Sequence, residues 1–150
     1  MPDSSKSPPS IRQVLETSIY ANDLDAAKAF YSDLMGFHLF MEETGRHLFY
    51  RVGNSLLFIF APEASHLPTP PHQGIPIPTH GAHGQGHVAF LIERKDLNHW
   101  RDYLISNQIE IETEIAWPHN GHSIYFRDPA NNSLEVATPG LWKHILQPSE

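Results

Sequence analysis

Residues Asn120–Thr138 read NGHSIYFRDPANNSLEVAT, a strand, a turn and a second strand. Ser123–Arg127 is aromatic and branched. Asp128-Pro129-Ala130-Asn131-Asn132 is dense turn chemistry, because Pro presets φ and Asn tolerates a left-handed backbone. Leu134–Thr138 resumes a strand. Side chains alternate across a strand, so Leu134 and Val136 share one face while Glu135 and Ala137 share the other. A carboxylate in the middle of an apolar strand either faces water or holds something. For a lone Glu the first is commoner, and the rest of the chain argues for the second.

Working outward, the segments before this hairpin fall into a pattern. Val14–Ala21 alternates, with Glu16, Ser18 and Tyr20 on one face. Asn22-Asp23 offers helix-capping chemistry ahead of Leu24–Leu34, whose apolar residues have helical spacing and core character, and Gly36 reads as the stop. Phe37–Met41, His47–Val52 and Leu56–Phe60 read as three strands, the last two joined by a Gly53-Asn54 hairpin. Ala61–Gly86 carries six prolines and no periodicity, so it reads as a long loop. It holds His66 and His72, expected to do nothing, and His80 and His83, placed near the next strand and within reach of a site edge. Gly86–Ile92 is a strand with His87, Ala89 and Leu91 on one face. Asp96 is expected to cap a helix over Leu97–Ser106. Ile109–Ile115 is a strand, the Asn120–Thr138 hairpin follows, and Leu141–Leu146 reads as a short terminal helix.

The order strand, helix, three strands thus occurs twice, on either side of the loop, as two copies of one βαβββ unit. Laid together, the halves put Glu16 on His87, Arg51 on Arg127 and Leu57 on Glu135. The expected class is α+β, with two paired βαβββ modules forming a cupped, mixed sheet: module 1 about 11–60, the Pro/His-rich loop 61–86, and module 2 about 87–140, within one domain 11–150. If a pseudo-two-fold axis relates the modules, Glu16, His87 and Glu135 converge on a shared concave face. Two carboxylates gathered in an apolar cup need a cation between them, since buried unpaired charge is costly.

Composition narrows the partners. The chain has 150 residues, 40% hydrophobic and 18% charged, enough for one domain with a real core. Ten basic and seventeen acidic residues give a net charge of −7, which argues against a nucleic-acid partner. There is no cysteine, so disulfides and thiolate metal sites are impossible, and eleven histidines is a high count for this length. No apolar run approaches a membrane span, and the polar, Pro/Ser-rich Met1–Ser10 is expected to be a disordered tail on a cytosolic protein.

The stretches ETSIYANDLDAAKAFYSDLMGF, GQGHVAFLI and GHSIYFRDPANNSLEVATPGLW resemble the vicinal oxygen chelate superfamily, which includes glyoxalases, bleomycin resistance proteins and ring-cleaving dioxygenases. The resemblance spans nearly everything beyond the tail and speaks to fold more than to reaction. It implies metal ligands on the first and last strand of each unit, here Glu16, His87 and Glu135, with Leu57 departing from a four-ligand pattern. It further implies substrate contacts at Tyr125 and Ser18, and a homodimer in which Glu16 meets His87 and Glu135 from either chain.

Two carboxylates and an imidazole suit Mn, Fe(II), Ni, Mg or Zn with open positions for two neighbouring substrate oxygens. Such an ion is a Lewis acid toward a forming enediolate or alkoxide, and Glu16 is a candidate base. The expected activity is a metal-dependent lyase, isomerase or thiol transferase acting on a small oxygenated molecule. The alternatives are an Fe(II) ring-cleaving dioxygenase, disfavoured by Glu16, and a metal-free binding protein of the bleomycin-sequestering type.

Overall fold

The structure, a computed structural model, describes residues 7–68 and 74–146. Most of the expected tail and His72 lie outside the described residues. Among the described residues, eight strands form two four-stranded sheets. Sheet 1 contains β1 (Glu16–Tyr20), β2 (His38–Glu43), β3 (His47–Val52) and β4 (Ser55–Phe60), in the order β1-β4-β3-β2. Sheet 2 contains β5 (His87–Leu91), β6 (Thr113–Trp117), β7 (Gly121–Arg127) and β8 (Ser133–Ala137), in the order β5-β8-β7-β6. In each, the first strand lies parallel to the last and the other neighbours are antiparallel. The repeat read from the sequence is therefore real.

Helix α1 (Leu24–Lys28) starts where expected, with the Asp23 carboxylate accepting from the Ala26 N–H at 3.0 Å. It then widens into a π-helix over Ala29–Leu34, closed by the bond from the Met35 N–H to the Phe30 carbonyl at 2.9 Å. Phe30 and Tyr31 in this wider stretch are both buried. Gly36 follows at φ +70°, the left-handed stop that glycine permits. A one-turn helix α2 (Pro62–Ser65) interrupts the segment read as loop. Helix α3 (Leu97–Ser106) has the expected bounds but not the expected cap. Asp96 is itself helical (φ −93°, ψ −2°) and ends a 3₁₀ turn from Arg94, so its side chain makes no capping bond. The second strand of module 2 begins later than expected, at Thr113, with Ile109 and Ile111 packed against the core instead. Helix α4 (Lys143–Leu146) is the last described element and follows a 3₁₀ turn at Pro139–Leu141.

The modules pack through their helical layers. One apolar core runs from Ile19, Tyr31, Tyr50 and Ile59 to Leu104, Ile124, Phe126 and Val136. Its polar seam is the expected turn: the Tyr31 hydroxyl donates to Asp128 Oδ2 at 2.6 Å, and Asn132 Nδ2 donates to Asp128 Oδ2 and to the Tyr20 carbonyl. Asn132 Oδ1 accepts from the Gly86 N–H at 2.7 Å. The buried Asp128 and Asn132 side chains are thus paired with each other and, through Tyr31 and the Tyr20 carbonyl, across the module boundary. Both sheets consequently turn their other faces outward. Among the described residues no strand pairs with the outer edge of β1 or of β5, so the two sheets do not join within one chain. No helix among the described residues is long and apolar enough to cross a membrane.

Candidate functional site

Register fixes which side chains share the outer faces. In sheet 2, Ala89 pairs with Glu135 and Glu135 with Tyr125, while His87 pairs with Ser133 and Ser123 with Ala137. His87, Glu135, Tyr125 and Ser123 therefore occupy one face, opposite the helix-covered core. Glu135 is the exception to its surroundings: its side chain is only 5% exposed.

Its two oxygens have different neighbours. Oε2 accepts a 2.5 Å bond from Ser123 Oγ, which itself accepts from Trp117 Nε1 at 3.0 Å. That relay fixes the carboxylate's orientation. Oε1 lies 3.3 Å from His87 Nε2. The opposite ring nitrogen, Nδ1, is 3.0 Å from the Ser133 carbonyl oxygen. A carbonyl only accepts, so Nδ1 carries the proton, and in the neutral ring Nε2 presents a lone pair. A lone pair then faces a carboxylate oxygen. The contact is attractive only with a second proton on the imidazole or with a cation between the two groups. A backbone carbonyl on one imidazole nitrogen and an acidic oxygen near the other is the setting of a metal-ligating histidine. The donor set fits a divalent ion.

Tyr125 flanks the pair, its ring stacked 6.3 Å from that of His87. Burial and the Glu135 carboxylate beside it push its phenol above the ordinary tyrosine range. Glu16 stands on the outer face of sheet 1 with Ser18 and Tyr20, solvent-exposed. Among the described residues no group of three His, Asp or Glu side chains within the chain could hold a metal. The fold thus brings His87, Glu135 and Tyr125 together, and leaves Glu16 and Ser18 on the other sheet.

The register also corrects one equivalence. Glu16 pairs with Leu56 and His87 with Ser133, so the counterpart of Glu135 is Phe58, one residue beyond Leu57. Leu57 points into the core, and a one-residue slip moves a side chain to the opposite face. The two-residue Gly53-Asn54 turn against the longer Asp128–Asn132 turn hid the slip. Phe58 stacks on Phe49 with ring centroids 3.8 Å apart, so the fourth position carries an aromatic wall.

The remaining histidines divide. His80 Nδ1 is 2.8 Å from the Tyr20 hydroxyl, at the rim of the outer face of sheet 1. His83 Nε2 is 3.1 Å from Glu63 Oε1, both exposed. His122 lies on the core-side face of β7, 3.7 Å from Glu114, away from Glu135. Ser123 and Trp117 were missed by sequence reasoning. Their signal was available: Ser123 shares the alternation of Tyr125, and a Trp near a buried strand needs a partner for its N–H.

The sequence profile of the Glyoxalase/Bleomycin resistance protein/Dioxygenase superfamily matches residues 13–136. A lactoylglutathione lyase from Agrobacterium tumefaciens is 38% identical in sequence, with a TM-score of 0.81 over 91% of this chain and 98% of that one. A glyoxalase/bleomycin resistance protein/dioxygenase from Nocardioides superposes with a TM-score of 0.67 at 18% identity, over 89% of this chain and 87% of that one. A fosfomycin resistance protein from Mesorhizobium loti gives 0.59 at 18% identity, over 86% and 93%. These last two share the fold alone. No curated protein matches the chain significantly.

Proposed function

Because the chain belongs to the glyoxalase/bleomycin resistance protein/dioxygenase superfamily, we propose that it is a metal-dependent enzyme of the glyoxalase-like lyase, isomerase or thiol-transferase kind. Its substrate is a small molecule with two neighbouring oxygens, and its place is the cytosol. The observation that carries this reading is the approach of His87 Nε2 to Glu135 Oε1 with Nδ1 already committed to a backbone carbonyl. The relative named lactoylglutathione lyase favours lyase or isomerase chemistry among the three.

His87 and Glu135 would hold the ion from sheet 2, with Ser123 and Trp117 fixing the carboxylate. Glu16 would complete the ligand set from a second copy of the chain. Among the described residues its strand is an unpaired edge, as is β5, so two chains can close both gaps by joining β1 of one to β5 of the other. Such a two-fold exchange is self-complementary and builds two identical sites. When bound, a divalent ion of the Mn, Fe, Ni, Zn or Mg group supplies Lewis acidity toward substrate oxygens. Glu16 takes up a proton from the substrate carbon, Tyr125 and Ser18 contact the substrate, and Phe58 keeps water from the fourth position. Two carboxylates around one imidazole favour this over a ring-cleaving dioxygenase, which uses two His and one carboxylate. The buried, relay-fixed Glu135 favours it over a metal-free binding protein.

The test is metal content of untagged protein, then complementation. Glu16→Gln keeps metal and loses turnover; Glu135→Gln loses both. Mixed in one sample, the two variants regain activity, because an exchanged dimer of the two holds one intact site. No recovery on mixing would refute a shared site, and unaltered turnover in Glu16→Gln would refute its role as base.

A further inference from the structure

Beyond the His87–Glu135 pair, the outer face of sheet 2 carries a second feature. After Thr138 the chain does not leave the sheet. The turn Pro139–Leu141 locks against the turn before β7 by two close backbone approaches. A Cβ on Gly140 would sit 2.5 Å from the His119 carbonyl oxygen, and one on Gly121 would sit 2.7 Å from Leu141 Cα. His119 and Asn120 adopt left-handed backbone there, at φ +61° and +63°. The imidazoles of His119 and His144 stack at 4.2 Å, pinning α4 to the same turn. The C-terminal segment is thereby held as a strap beside the sheet.

Between strap and sheet lies a cavity of about 410 Å³, lined by Ala89, Leu91, Ala137, Leu141, Trp142 and Leu146. Its floor consists of small residues and its walls of large apolar ones. Trp142 is 59% exposed and Leu91 74% exposed, so among the described residues of one chain these apolar walls stand uncovered. Ala137 lies two residues beyond Glu135 on the same face, a separation of about 7 Å. Ala89 is the register partner of Glu135. The volume falls within the range of small-molecule sites, about 300–1,000 Å³.

The geometry points to this cavity as a subsite for the substrate's hydrocarbon substituent, a phenyl or branched alkyl group, with Trp142 as the residue that sets the preference. The inference rests on the functional reading above for what the oxygens do, and extends it to the class of molecule: a vicinally oxygenated compound carrying a bulky apolar group. Lys143 is also among the lining residues.

Two measurements separate this from the metal reading. First, benzyl alcohol is titrated into metal-free protein while tryptophan fluorescence is followed, with Trp142→Phe assigning the signal. Saturable quenching that disappears in Trp142→Phe and in Ala137→Leu is expected, and no saturable quenching in the wild-type chain overturns the subsite whatever the metal does. Second, mandelate and lactate, which differ by phenyl against methyl, compete for protein loaded with Mn²⁺. Mandelate should bind at least tenfold more tightly, and Trp142→Ala should bring that ratio to within twofold of one while lactate affinity stays unchanged. An equal loss for both acids in Trp142→Ala would make Trp142 merely structural and overturn its role in selection. Should Ala137→Leu not fold, Leu146→Asp, on an exposed wall of the cavity, takes its place. If benzyl alcohol binds as expected and Mn²⁺ alters neither acid's affinity, the subsite stands and the metal centre falls.

Discussion

The two modules have the same strand order and register, yet their outer faces differ. Sheet 2 buries a carboxylate, orients it with a Ser–Trp relay and sets an imidazole against it. Sheet 1 places Phe58 at the equivalent position and builds a stack from His47, Phe49 and Phe58, with successive centroids 4.0 and 3.8 Å apart. On that face Glu16 holds the position equivalent to His87. A duplicated architecture has therefore divided its labour: one half organises charge, the other supplies a wall and one acid. The difference teaches that equivalent backbone positions hold place, not chemistry.

The largest effect should come from what joins the modules. Tyr31 is fully buried, and its hydroxyl reaches Asp128 across the boundary. Desolvation and the neighbouring carboxylate hold its phenol in the neutral form by raising its pKa well above the ordinary value. Tyr31→Ala should cost about 3–5 kcal/mol in urea unfolding, as for other large aromatic truncations. Tyr31→Phe should cost about 1–3 kcal/mol, because Asp128 then loses a buried partner. A Tyr31→Phe protein as stable as wild type would mean the modules are joined by apolar contact alone.

The next comparison is between the two equivalent positions themselves. By calorimetric titration, Glu135→Gln should weaken Mn²⁺ binding by more than about 100-fold, and Ser123→Ala by about 10–100-fold, the usual cost of removing an outer partner of a ligand. Phe58→Leu should leave metal affinity unchanged. If Phe58→Leu weakens the metal as much as Ser123→Ala does, the two faces are not divided as described.

Much of this was legible in the sequence. The alternation around Glu135, the Asp-Pro-Ala-Asn-Asn turn and the repeated strand order carried the fold, because period and turn chemistry are local signals. His87 and Glu135 do approach each other, but through the register of adjacent parallel strands rather than the axis between modules from which their convergence with Glu16 was expected. What escaped were features set by neighbours distant in the chain. The slip between Leu57 and Phe58 depended on the length of a turn. The separation of Glu16 from His87 depended on the modules packing through their helices rather than along their strand edges.

A smaller contrast is found where the two helices begin. Asp23 caps α1 through its side chain, whereas Asp96 at the same place in module 2 is already helical and caps nothing. Asp23→Ala should cost about 1 kcal/mol in thermal or denaturant unfolding. Asp96→Ala should fall within about 0.5 kcal/mol of wild type, as surface substitutions away from special features do. Equal losses would show that the 3₁₀ turn from Arg94 needs its carboxylate after all.

The least effect is expected from the one titrating member of the aromatic stack. His47 lies flat on Phe49, and its Nδ1 has no hydrogen-bond partner among the described residues. The facing groups are Glu43, whose Oε2 is 3.9 Å away, Arg46, and the rings of Phe49 and Phe60. Burial lowers the imidazole's pKa, Glu43 opposes that shift, and Arg46 adds to it. With the folded value below the unfolded one, about 6.5, the unfolded chain binds more protons in the interval between them. Stability from this residue is then complete above pH about 6.5 and falls as pH drops through the lowered folded value. His47→Phe, which keeps the stack and removes the titration, should flatten that part of the stability–pH curve by denaturant titration. A variant curve parallel to wild type between pH 7 and 5 would show that the stack tolerates a charged ring, and that the wall of sheet 1 is wetter than its geometry implies.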